Sequence, residues 1–106
     1  MKVWLDDRRE PPAGWIWVKT PAETIALLEA GEVNELSLDH DLGLWDDDGR
    51  EQTGYAVLLW IEEQVVLHGF RPPVLAVHSA NSAARERMER ALKSIGRYAE
   101  RQPGLW

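Results

Sequence analysis

Three short runs hold the residues best suited to chemistry: Asp6-Asp7, Asp39-His40-Asp41 and His78-Ser79. Carboxylates gathered at one point bind hard divalent cations such as magnesium or manganese. Imidazoles take and give protons near neutral pH. Cleaving a phosphodiester or a cyclic phosphate needs both kinds of help, because charge grows on the phosphoryl oxygens while protons change places. Each run alone also has a plainer explanation. An Asp-Asp pair suits a turn, and a single histidine behind apolar residues is often a satisfied core residue. Asp39-His40-Asp41 is harder to dismiss, since three ionisable groups behind a half-buried strand are costly without partners.

The elements around these runs decide whether they meet. Lys2–Asp6 and Trp15–Lys19 read as strands, separated by a loop with Pro11, Pro12 and Gly14. Thr20-Pro21-Ala22-Glu23 has the pattern of a helix start, with Gly31 as its stop. Glu35–Asp39 alternates polar and apolar residues as a third strand does. His40–Gln52 reads as a long acidic loop. Thr53 is placed to cap a helix over Gly54–His68, which is apolar on most faces. Val74–Val77 is a continuous apolar run typical of a central parallel strand. Asn81 or Ser82 opens a last helix with Ala84, Met88, Ala91, Leu92 and Ile95 on one face, and Gly96–Trp106 is a peripheral tail that can fold back through Tyr98 and Trp106.

Strands separated by helices predict an α/β domain of about four mainly parallel strands with helices on both faces. Leu5, Leu36, Leu38, Val57, Ile61, Leu75, Val77, Met88 and Leu92 are its expected core. Such a sheet puts its ligand site at the carboxyl ends of the strands. There Asp6, Asp7, Asp39 and Asp41 would hold a divalent metal, and His40, His78 and Asp39 would be catalytic. Both histidines should open into one cleft with room for a phosphate between them.

Composition narrows the classes. The 106 residues suffice for one domain over 1–106. Without cysteine there is no disulfide scaffold, zinc-thiolate site or thiol nucleophile. A net charge of −6 argues against a broad nucleic-acid surface. No apolar run is long enough to span a bilayer, and the N-terminus does not read as a signal peptide, so a cytoplasmic location is expected. The partner expected is a small phosphorylated ligand or an RNA end. Other charged groups read as ordinary surface. Asp46-Asp47-Asp48-Gly49 lacks the later bidentate acid of a calcium loop. His68 suits a helix C-terminus. Arg85, Arg87 and Arg90 look like a solvated face paired with Glu86 and Glu89, with Arg85 the one placed near a possible anion.

Leu5-Asp6-Asp7-Arg8, Leu38-Asp39-His40-Asp41-Leu42, Thr53-Gly54 and His78-Ser79-Ala80-Asn81, in this order, resemble the cyclic-phosphate processing receiver domains, over about residues 1 to 95. The resemblance implies a flavodoxin-like, receiver-like three-layer fold in reduced form. It matches Asp6 and Asp7 to the acidic pair, and Asp39 to the phosphoacceptor, of ordinary receivers, where these residues hold magnesium. Ser79 matches the hydroxyl that senses the phosphate; with Arg8, Thr53 and Asn81 it is a candidate phosphate contact. Three departures stand out. Only the proline loop, and no helix, separates the first two strands; the fifth strand with its lysine is missing; and His40 and His78 stand where ordinary receivers have no histidine. The resemblance therefore implies a phosphoesterase acting on a cyclic nucleotide or an RNA 2′,3′-cyclic phosphate end. A signalling receiver phosphorylated on Asp39, or a module that only binds a phosphorylated ligand, are the alternatives.

Overall fold

A computed structural model describes residues 1–101. Four strands, β1 (Lys2–Leu5), β2 (Trp15–Val18), β3 (Glu35–Leu38) and, after a hairpin, β6 (Val74–Val77), form one sheet in the order β2-β1-β3-β6. All neighbours are parallel, with Val3 beside Ile16 and Leu36, and Leu36 beside Leu75. This is the flavodoxin-like order, without its last strand among the described residues. The described residues also form three helices: α1 (Pro21–Glu29), α2 (Tyr55–His68) and α3 (Ser82–Glu100).

The start of α1 follows its sequence signal. Thr20 is extended, its hydroxyl oxygen accepts from the Glu23 amide at 3.1 Å, and Pro21 occupies the first turn. The start of α2 does not. Its cap is Gly54 rather than Thr53, without a side-chain cap. Thr53 is taken up in a strand instead. The segment expected as a long loop is a two-stranded antiparallel hairpin, β4 (Asp41–Trp45) and β5 (Glu51–Thr53). Asp46 closes it, accepting from the Asp48 and Arg50 amides at 2.9 Å each, while Gly49 takes the positive φ of 78°. The acidic run is thus a turn. At the other end, α3 continues through Gly96 to Glu100, so the expected tail begins later. The expected fold-back of Trp106 lies outside the described residues.

Strand alternation sorts the sheet into two unlike faces. Val3, Leu5, Leu36 and Leu38 point to one face, where they join Leu28 of α1, Val57, Leu58, Ile61 and Val65 of α2, and Met88 and Ile95 of α3 in one core. All three helices therefore lie on the same side, against the expectation of a layer on each. The reason is the connection between β1 and β2, a proline loop with no room for a helix. On the opposite face Trp4 meets Trp15 edge-on at 6.0 Å. The loop folds over it, and the Trp4 indole donates to the Arg9 carbonyl at 3.0 Å.

The strand β6 is an edge strand rather than a central one. Val74 is 68% exposed, and Leu75, Val77 and Leu92, expected in the core, are half-buried. Among the described residues no fifth strand covers that edge, and no helix is long and apolar enough to cross a membrane.

Candidate functional site

The chain leaves β1 for β2 on one side and reaches β3 on the other, so the strand order reverses between β1 and β3. Ligands gather at such a point, and here Asp6 and Asp39 lie directly beyond these two strands. One ligand oxygen from each of Asp6, Asp7 and Asp39 falls within 4.8 Å of the others. They line an open cavity of about 330 Å³ together with Arg8, Arg9, Asp41 and Glu51. That volume is at the small end for ligand pockets.

The three acids differ in how they are held. Asp6 is 1% exposed and almost saturated. Its Oδ1 accepts from the Arg8 and Arg9 amides at 2.8 and 2.9 Å, and its Oδ2 lies 3.1 Å from His78 Nε2. Burial would raise its pKa, but these donors together outweigh burial and hold it below the usual carboxylate value. Asp39 is also buried, and its Oδ1 accepts from the His40 amide at 2.9 Å. Its Oδ2 has no donor among the described residues. Burial first, and the Asp6 charge second, push its pKa up. Asp7 is more open and pairs with Arg8 at 3.6 Å.

An all-oxygen set with one buried carboxylate oxygen lacking a donor, and with mutual repulsion still unrelieved, fits a hard divalent cation. Asp41 lines the same cavity but is outside the close group of three. Its Oδ1 lies 2.7 Å from His40 Nδ1.

The two histidines do not share a cleft, and neither lines the cavity. His78 lies flat on Trp4, with ring centroids 3.7 Å apart. Its Nδ1 is 2.7 Å from Ser37 Oγ and its Nε2 faces Asp6, so both nitrogens are engaged. Burial pushes its pKa down despite the nearby carboxylates. In the neutral ring Nε2–H donates to Asp6 and Nδ1 accepts from the Ser37 hydroxyl. This ring holds Asp6 in place, in the way outer groups orient a metal ligand.

Of the expected phosphate contacts, Arg8 lines the cavity. Thr53 pairs with Asp41 in the hairpin. Ser79 is buried, its Oγ accepting from the Asn81 amide at 3.1 Å, and Asn81 caps α3 by accepting from the Ala84 amide at 3.1 Å. Arg9, Ser37 and Trp4 were not anticipated. Arg9 lines the cavity and its guanidinium donates to the His78 carbonyl at 3.0 Å. Its place directly after Asp6-Asp7-Arg8 was the available signal. Ser37 and Trp4 could be found only by setting the strands in register.

The lowered His78 pKa fixes a pH dependence. The neutral ring contributes stability above the ordinary value of 6.5, and that contribution is lost as pH falls below 6.5 through the lower folded-state value. In chelator, the thermal midpoint should fall across this window in the wild type, and more weakly in His78→Gln. Equal slopes for the two proteins would contradict the buried neutral ring.

A parallel sheet of this order, with three acids at its switch point, defines a receiver-like domain. Within that class, the model of the cyclic-phosphate processing receiver domain matches residues 1–94, and the chain belongs to that family. A search of curated proteins gave no match, and a search of solved structures gave none either.

Proposed function

We propose that the domain hydrolyses a cyclic phosphate, on a small nucleotide or at an RNA end, with the help of a divalent cation. The observation that carries this reading is the close group of Asp6, Asp7 and Asp39 in one cavity with Arg8 and Arg9. Arginines bring bidentate donors for phosphoryl oxygens. Magnesium or manganese held by Asp6, Asp7 and Asp39 would supply positive charge where the transition state gathers negative charge.

In the reaction water adds to phosphorus and one ring P–O bond breaks. A proton leaves the water and another reaches the departing oxygen. His40 is the group for this transfer: its ring is not part of the cavity lining, but it is held by Asp41, which is. Asp41 sits at its Nδ1 and orients the ring, while Nε2 has no partner among the described residues. Asp39 directly precedes His40 and accepts its amide, so the two side chains are placed by the same backbone. His78 acts through Asp6 and takes no part in proton transfer.

A panel of cyclic nucleotides and oligonucleotides ending in a 2′,3′-cyclic phosphate, assayed with magnesium, with manganese and with chelator, tests this. Metal-dependent opening of the ring is expected. His40→Ala should lower turnover by about two to four orders of magnitude with little change in KM. His78→Gln keeps a donor for Asp6 and should stay within about tenfold of wild type. Absence of turnover across the panel, or equal losses in both variants, would overturn this reading.

A further inference from the structure

The charge of this chain is unevenly placed. Six of its 12 basic side chains, but only three of its 18 acidic ones, lie between Arg85 and Arg101. Of these, Arg85 pairs with Glu89 at 3.0 Å. Arg87, Arg90, Arg97 and Arg101 make no ion pair with a carboxylate among the described residues, so the expected pairing of the whole face holds only for Arg85.

Helical spacing puts the four unpaired arginines in one line. Positions 87, 90, 94, 97 and 101 recur at intervals of three and four, along one stripe of α3 and its C-terminal cap. The fifth position is Ser94, whose hydroxyl accepts from Arg97 at 3.1 Å. Glu86, Glu89 and Glu100 fall to one side of the stripe by the same count. Ala84, Met88 and Ile95 face the core, so the stripe is on the solvent side. It covers 14 helical steps, about 21 Å at 1.5 Å per residue. Tyr98 stands beside it, 37% exposed, and with Ser94, Arg97 and Arg101 it lines a shallow surface cavity. Arg97 and Arg101 lie beyond residue 94, where the family match ends.

We propose that this stripe binds the phosphodiester backbone of a single-stranded oligonucleotide. A row of guanidinium groups without carboxylate ion pairs among the described residues matches a row of phosphates, and an exposed tyrosine beside the row gives a base a ring to stack on. An acidic peptide would be met by the arginines alone and has no use for that ring. The helix starts at Ser82, two residues past Ala80 at the cavity rim. This surface deepens the proposed function by favouring an RNA end over a free cyclic nucleotide, and rests on that reading only for what happens in the cavity.

The test uses the whole chain and a fluorescein-labelled eight-nucleotide oligouridine with an ordinary 3′-hydroxyl, followed by anisotropy in chelator. Binding should weaken with salt, with a log–log slope of about −2 to −3 for three or four phosphates. The double variant Arg90→Glu/Arg97→Glu should lose at least tenfold in affinity. Lys2→Glu/Lys19→Glu, which changes net charge equally elsewhere, should stay within about threefold of wild type. Tyr98→Ala should weaken binding without changing the salt slope. Circular dichroism confirms that each variant is folded. Asp39→Asn should bind the oligonucleotide as the wild type does, which separates this surface from the catalytic reading. No binding at low salt, equal losses in both double variants, or equally tight binding of an oligoglutamate peptide would overturn the proposal.

Discussion

In the proposed hydrolysis, Asp39→Asn should lower turnover about a hundredfold or more while making the metal-free domain more stable. The two effects have one origin. Asp39 is buried beside Asp6, and burial together with that charge raises its pKa. A carboxyl with a raised folded-state pKa supports the fold while protonated and loses that support as pH rises through the raised value. At neutral pH, above the ordinary carboxylate value, the group therefore works against folding. Asparagine removes the charge and keeps an oxygen to accept the His40 amide, now bound by Asp39 Oδ1 at 2.9 Å. The urea midpoint in chelator should rise. Calorimetry should show weaker binding of magnesium and manganese by at least tenfold, because one of the three proposed charged ligands is gone. On the proposed reading the loss of turnover would come from lost charge stabilisation. A fall in metal-free stability, or unchanged metal affinity, would show that the three acids do not form one strained group.

Gly54→Ala should cost about 3 kcal/mol or more, which is large for a single methyl group. Gly54 has helical dihedrals, so helix propensity alone favours alanine there. Space decides otherwise. A Cβ would overlap the Asp39 carbonyl oxygen and stand 3.0 Å from its carbon. The obstacle is backbone, and no rotamer change relieves it. The same turn is tied by the Gly54 amide to the His40 carbonyl at 3.1 Å, so relief would move the end of β3 and Asp39 with it. Gly96→Ala is the matched control. It lies within α3 with nothing near the new methyl group, and should stabilise by about 0.5 to 1 kcal/mol. Urea unfolding of both proteins checks the opposite signs, and a loss under about 0.5 kcal/mol at position 54 would contradict the close approach.

That contact explains why Thr53-Gly54 carries part of the family resemblance. The sequence suggested a capping threonine, whereas the requirement is for a residue without a side chain where α2 begins against the end of β3. Strand positions were legible because each of the four runs is short, apolar or alternating, and has Pro, Gly or Asp at one end. The hairpin was not, because Asp46-Asp47-Asp48 reads as a charged loop until Leu42 and Leu44 are seen as one alternating pair and Gly49 as the turn residue. The central place expected of β6 failed for another reason. Val74-Leu75-Ala76-Val77 is apolar throughout, yet a strand is central only if another strand lies beyond it, and the run itself carries no sign of such a neighbour. The acids of the site were readable as strand ends. His78 was readable as a strand end too, but its work was not, because its partners Trp4 and Ser37 are distant in sequence and meet only through the parallel register.

The tryptophans on the uncovered face give the site an optical consequence. Trp4 stacks on the ring that braces Asp6, and the Trp17 indole donates to the Asp6 carbonyl at 2.7 Å. Two native fluorophores are thus joined to one cavity carboxylate, one through an imidazole and one through its own main chain. A cation or phosphate bound as proposed would pull on Asp6 and alter the surroundings of both, and a proton arriving at His78 would place a charge against the Trp4 ring. Ligand occupancy of the proposed site would then be readable as an unlabelled change in emission, because neither indole is part of the cavity lining.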